Sequence, residues 1–177
     1  MASVHPSAVL GPSPTNRRDS ESVDIWTKLG TGAFPVAPRF YLPFCDTRVV
    51  AAAHCRAAMS KVTGRFIVSS EQTYTFVETA KMYAASHPNL KKPKGYAWYW
   101  ILWLLGPFMG LPRVLLKKGW STVGGYRLDV SDARRELGMD TYWIDTEKTV
   151  QDHMSWMIQQ GFLTDKGKRI KPPKTLR

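Results

Sequence analysis

The chain has 177 residues, enough for one ordinary domain with a real core, and its 44% hydrophobic content lies well above the disordered class. Lys and Arg outnumber Asp and Glu by 25 to 14, giving a formal charge of +11 and a pI near 9.8, a balance compatible with nucleic acid, an anionic membrane or a phosphate-bearing ligand as partner. Cys45 and Cys55 form no C-x-x-C pair, and with His54 they are too few for structural zinc, so no metal site is expected.

Ser3–Leu10 reads as a strand ending at Gly11-Pro12, with Pro6 placing it at an edge or at a ligand-facing end. A turn-rich loop carrying Arg17-Arg18 follows, and Ser20 or Ser22 caps a helix through Leu29 that Gly30 and Gly32 stop. Arg39–Cys45 is a second strand, with Asp46 or Thr47 capping an apolar helix over Arg48–Met59 packed deep against a sheet. His54 within it reads as a core or helix-packing histidine. Gly64–Ser69 is a buried strand. A capping box, Thr75 with Glu78, opens a helix that His87-Pro88 ends.

Between Lys94 and Arg113 lie eighteen uncharged residues that include Trp98, Trp100 and Trp103. That length raises the question of a membrane span. Gly106-Pro107 falls in the middle, and an interior proline costs a helix about 3 kcal/mol or more. A lone anchor has no neighbouring helices to repair the lost bonds, so the stretch reads as two short helices. Asp129–Gly138 is a further short helix with Asp129 or Ser131 as cap. Thr141–Ile144 is extended. The last helix, Glu147–Gln160, buries Val150, Met154, Met157 and Ile158, and Phe162-Leu163 fold back after it. From residue 164 to 177 a basic disordered tail is expected, six of whose last twelve residues are Lys or Arg.

Several segments, taken in order, resemble the C-terminal half of extended short-chain dehydrogenases. The nearest types are dihydroflavonol reductase, cinnamoyl-CoA reductase and 3β-hydroxysteroid dehydrogenase, within the wider NAD-dependent epimerase/dehydratase group. The resemblance begins at His5–Pro12 (HPSAVLGP), similar to the family's sixth strand. It continues through Phe44–His54 (FCDTRVVAAAH), Gly64–Ile67, the helix from Thr75, Asp129–Gly138 (DVSDARRELG) and the helix from Thr146. Val49 departs from the pattern where the family has a second Asp, and Asp132 where it has Lys.

The resemblance implies an α/β fold over residues 1–163, the C-terminal part of a Rossmann-type enzyme, with few parallel strands and substrate-domain helices at about 75–163. It implies NADP or NAD as cofactor, with Pro6, Ser7 and Ala8 facing the nicotinamide carboxamide through backbone groups. The loop Asn16–Ser22, Ser22 included, would lie near the cofactor phosphates and the substrate. Arg17-Arg18 reads equally as a solvated pair. The sequence contains no G-x-x-G-x-x-G, and no tyrosine has a lysine four residues on. The family's cofactor needs the first and its proton transfer the second. No catalytic residue is therefore assigned. The expected function is the substrate-binding half of an NAD(P)-dependent oxidoreductase acting on a small carbonyl or hydroxyl substrate. It should be inactive without an N-terminal half, cytoplasmic, and without nucleic acid as partner. Its unpartnered apolar surface is expected to associate non-specifically with membranes. The alternative is a small basic membrane-associated protein anchored by 95–116, whose flanking lysines meet anionic head groups.

Overall fold

A computed structural model describes residues 1–15, 20–105 and 125–170. The elements are β1 (Ala2–Pro6), β2 (Ala8–Leu10), α1 (Glu21–Thr31), β3 (Phe44–Asp46), α2 (Thr47–Met59) and β4 (Gly64–Val68), then α3 (Phe76–Ser86), α4 (Tyr99–Leu105), α5 (Ser131–Glu136) and α6 (Thr146–Gln159). Helices separate β2 from β3 and β3 from β4, and both strand pairs are parallel, so the chain is α/β, as the segment order implied.

The expected first strand is two strands in line. β1 pairs with β4 in the register Val4↔Phe66, and β2 pairs with β3 in the register Val9↔Cys45. Ser7 N–H donates to the Val68 carbonyl at 3.2 Å and Ala8 N–H to the Pro43 carbonyl at 3.3 Å. Successive N–H groups of extended chain point to opposite edges, so the segment changes partner at Ser7. Odd residues of β1 serve the β4 ladder, and the missing N–H of Pro6 falls on the side that makes no ladder bond. Ala2 and Val4 pack on the same cluster as Val9, an odd spacing, which puts the pleat out of phase across Ser7.

Two cores flank the strands. One joins α1, α3 and α6 through Trp26, Leu29, Tyr83, Val150, Met154 and Met157. The other joins α2, β4 and α5 through Val49, Ala53, Phe66, Val68 and Ala133, with Leu137 and Met139 just after α5. Phe162 and Leu163 fold back into the first core as expected. Three helix starts follow the sequence closely, whereas Ser20 makes no side-chain cap bond on α1, and α5, expected over Asp129–Gly138, spans only Ser131–Glu136 with Val130 at its N-cap and Asp129 accepting from Ser131 N–H. Asp46 caps α2 through Arg48 N–H, Asp145 caps α6 through Lys148 N–H, and Thr75 with Glu78 makes both bonds of the capping box on α3.

Several expectations need correction. Gly30 does not stop α1 but lies inside it, buried, where a Cβ would stand 2.9 Å from Met154 Cε; Gly32, at φ 75°, is the stop. The strand expected over Arg39–Cys45 shrinks to Phe44–Asp46, because Pro43 lacks an N–H and Leu42 bonds instead with Tyr74. α2 buries only Val49 and Ala53, and His54 is exposed, its Nδ1 at 2.9 Å from the Val50 carbonyl oxygen one turn back. β4 buries only Phe66 and Val68. The extended piece expected at Thr141–Ile144 begins as a 3-10 turn over Asp140–Tyr142. Ile158 is only half-buried.

Of the apolar stretch at 95–116, α4 occupies Tyr99–Leu105, and the expected break at Gly106-Pro107 with the second helix lies outside the described residues. Among the described residues no helix is long and apolar enough to cross a membrane. Residues 164–170 turn back on the body: Lys168 offers its carbonyl to Thr164 N–H at 2.8 Å, and Gly167 packs on the Gly30 carbonyl.

Candidate functional site

In open parallel sheets, ligands gather beyond the carboxyl ends of the strands, where neighbouring connections diverge. Here that place lies beyond Leu10 and Asp46, the paired last residues of β2 and β3. Gly11 turns the chain there at φ 108°, and a Cβ on it would stand 3.1 Å from both carboxylate oxygens of Asp46. Only glycine fits both the backbone angle and the space.

Asp46 is 1% exposed. Its Oδ1 accepts from Arg48 N–H and Nε at 2.8 Å, and its Oδ2 accepts from Arg48 Nη2 at 2.7 Å. Burial alone would raise the Asp46 pKa, but the hydrogen bonds and charge of Arg48 outweigh it and hold the carboxyl below its usual value. Arg48 Nη2 also reaches Asp152 Oδ2 of α6 at 2.7 Å. Thr47 donates its hydroxyl to the Leu10 carbonyl at 2.8 Å. The end of β2, the start of α2 and the middle of α6 are thereby tied together.

A cavity of about 410 Å³ opens beside this knot. Ser13 and Thr15 line it from the loop after Gly11, Ser20 and Ser22 from the start of α1, and His153 and Trp156 from α6. Val9, Leu10 and Val23 form its apolar part. Among the described residues that line it, none has a charged side chain. His153, 4% exposed, sits over the turn, its Nδ1 3.0 Å from the Gly11 carbonyl oxygen and 3.3 Å from Gly11 N. Burial pushes the His153 pKa down to about 4, against smaller upward pulls from Gly11 and Asp46, so the ring is neutral at pH 7. The ring stacks on Trp156 at 5.6 Å and meets Trp26 edge-on at 5.7 Å. His153 Nε2 and Trp156 Nε1 are buried without a hydrogen-bond partner among the described residues.

Of the residues expected at a cofactor, Ser22 lines this cavity, whereas Pro6, Ser7 and Ala8 lie at the strand crossover before it. Pro6 and Ala8 are exposed; Ser7 is half-buried and its hydroxyl accepts from Ser69 Oγ at 2.9 Å. The N–H groups of Ser7 and Ala8 are both taken by strand neighbours. Arg17-Arg18 and the rest of 16–19 lie outside the described residues. His153 and Trp156 escaped the sequence reading, although His153 falls on the same helical stripe as Val150, Met154 and Met157. Among the described residues no group of three or more His, Cys, Asp or Glu is placed to hold a metal ion.

No family model matches the sequence, and no curated protein matches it. Solved structures do. The chain is similar to gox2253, with TM-score 0.63 and 19% identity over 90% of this chain and 49% of that one. It is also similar to the yeast methylglyoxal/isovaleraldehyde reductase Gre2 complexed with NADPH, with TM-score 0.59 and 20% identity over 89% of this chain and 46% of that one. A third is the Bordetella bronchiseptica enzyme WbmG in complex with NAD and UDP, with TM-score 0.59 and 18% identity over 97% of this chain and 48% of that one. The chain spans about half the length of each. At these identities the likeness establishes the fold alone: the chain has a Rossmann-type α/β fold corresponding to about half of each of these structures.

Proposed function

We propose that this chain is the substrate-binding half of an NAD(P)-dependent oxidoreductase of reductase or epimerase type, acting on a carbonyl or hydroxyl group of a small molecule. The observation that carries the reading is the change of strand partner at Ser7, one short strand before the Gly11 turn. It creates a switch point at the carboxyl end of a parallel pair, where this architecture holds ligands. Pro6, Ser7 and Ala8 present carbonyl oxygens and exposed surface to the nicotinamide carboxamide. Ser22, at the first turn of α1, lies on the cofactor and substrate side. When bound, NADP or NAD supplies the hydride; this chain's residues orient the nicotinamide face and bury the substrate under the helices of about 75–163.

A nucleotide-binding half must bring the Gly-rich loop and the Tyr-x-x-x-Lys pair. Without it the chain is silent toward carbonyl substrates. In this reading residues 1–163, with 164–170 packed against them, form the reductase half, and the protein works in the cytoplasm. The test is isothermal calorimetry with NADPH. Weak binding without turnover supports the reading, and saturable micromolar binding with carbonyl reduction by this chain alone contradicts it.

A second reading is favoured by one observation. Trp98, Trp100 and Trp103 are 69%, 60% and 47% exposed, and Lys91, Lys92 and Lys94 precede them. Indole rings beside cations suit the interface of an anionic bilayer. Co-sedimentation with phosphatidylserine vesicles that is lost on Trp98→Ser/Trp100→Ser supports it; a chain left in the supernatant removes it.

A further inference from the structure

The geometry points to a second binding site, for a small monocarboxylate with an apolar body, in the cleft between the end of α2 and residues 135–142. The cleft has a volume of about 690 Å³, within the range of small-molecule sites, about 300–1,000 Å³. It shares no described lining residue with the cavity beyond Gly11. Its apolar wall, Ala52 and Leu137, belongs to the core that α2, β4 and α5 build.

Arg56 carries the inference. It lines the cleft, half-buried, and three contacts fix its guanidinium. Nη1 donates to the Leu137 carbonyl at 3.1 Å, and Cζ stands over the Tyr142 ring at 4.5 Å from its centroid. Gly138 leaves the group its room, because a Cβ there would stand 2.9 Å from Nη1. Arg56 also lies in the last turn of α2, where a cation offsets the helix dipole. These structural duties take one N–H and leave the rest of a planar donor fork. Among the described residues no carboxylate pairs with it, whereas the neighbouring Arg135 bonds Asp132 at 2.6 Å and Glu136 at 3.3 Å. Glu136 lines the cleft too, so its charge and that of Arg135 offset each other, and Arg56 is the unmatched cation of the described lining. A cation already held in place loses little freedom when an anion arrives, and the guanidinium fork matches a carboxylate with two parallel bonds. One free fork matches one carboxylate. The apolar body rests on Ala52, Leu137 and the thioether of Met59, which is 87% exposed and pliable enough to follow its shape.

The test follows alkylation of Cys55 by iodoacetamide while the full chain is titrated with phenylacetate, in the absence of any nucleotide. Cys55 is exposed and lines the cleft, whereas Cys45 is buried, so the label reports on this site. Phenylacetate should slow the reaction saturably. Phenylacetamide keeps the shape without the charge, and acetate keeps the charge without the ring; each should need at least about tenfold higher concentration for the same protection. Arg56→Gln should erase the preference for the carboxylate over the amide. Met59→Ser, at an exposed position, should weaken phenylacetate severalfold with an unchanged amide spectrum. Equal protection by the amide or by acetate overturns the inference, as does a carboxylate preference that survives in Arg56→Gln. If phenylacetate gives no protection, Arg56 serves the helix ends alone and the inference fails. Should Arg56→Gln not fold, the three ligands on the natural chain and Met59→Ser still decide. With no nucleotide present, failure here leaves the reductase reading standing, and failure of that reading leaves this one.

Discussion

Two sets of aromatic side chains in this molecule have opposite fates. Trp26, Phe44, Tyr83, His153, Trp156 and Phe162 are each at most 7% exposed. They meet edge-on or stacked, with Trp26 touching Phe44 at 6.0 Å, Tyr83 at 6.4 Å and His153 at 5.7 Å. Trp98, Trp100 and Trp103 are all more than 45% exposed, at 69%, 60% and 47%. The buried rings come from α1, β3, α3, α6 and the fold-back after it, so each is covered by segments distant in sequence. The exposed ones crowd into six residues at α4, where Leu102 is buried, packed with Ala97 and Phe40 in a small cluster apart from both main cores. Local apolar density did not decide burial; convergence of remote segments did.

The comparison can be broken most directly at its two extremes. Trp26→Ala empties the centre of the larger core and should cost about 3–5 kcal/mol in chemical denaturation, because transfer and cavity terms add. Trp100→Ala should change stability by less than about 0.5 kcal/mol. Equal effects would show that the two sets are not distinct.

The next effect is that of pH on the buried set. His153 has a folded pKa of about 4 against an ordinary value of 6.5, so the unfolded chain binds the extra proton between those limits. Its contribution is therefore complete above about pH 6.5 and lost as pH falls toward 4, on the order of 3 kcal/mol in all. The groups that bear on it are Gly11, which it bonds, and the Asp46 carboxylate, whose own loss comes at lower pH. Denaturation midpoints between pH 7 and pH 4 should fall for the natural chain and flatten in His153→Asn.

Smaller effects belong to the backbone around the site. Gly11→Ala combines a left-handed φ with a methyl group 3.1 Å from the Asp46 oxygens and should cost about 2 kcal/mol. Thr75→Ala removes one side of the capping box on α3 and should cost about 1 kcal/mol.

Much of this architecture could be read from the residues. Helix starts were legible because Asp46, Thr75 and Asp145 act locally, each bonding an N–H two or three positions away. The order of strands and helices was legible for the same reason, and Ser22 does line the candidate cavity. What escaped depends on partners far along the chain. The interruption at Ser7 follows from its neighbours switching from Val68 to Pro43. Gly30 reads as a helix stop until Met154 and Leu163 are seen to press on it. His54 and His153 look alike in sequence, each within an alanine- or methionine-containing helix. One faces outward and the other lies beneath the Gly11 turn, because only α6 is covered on that side by α1 and the β2 end.

The central claim, that the Ser7 switch point faces a nicotinamide nucleotide, is tested most directly by following backbone amide signals of the isolated chain during titration with NADPH. The account predicts weak saturable shifts confined to Ser7, Ala8 and Ser22, with dissociation near the millimolar range and no reduction of carbonyl substrates. Shifts that leave these residues untouched, or micromolar binding accompanied by turnover, would contradict it.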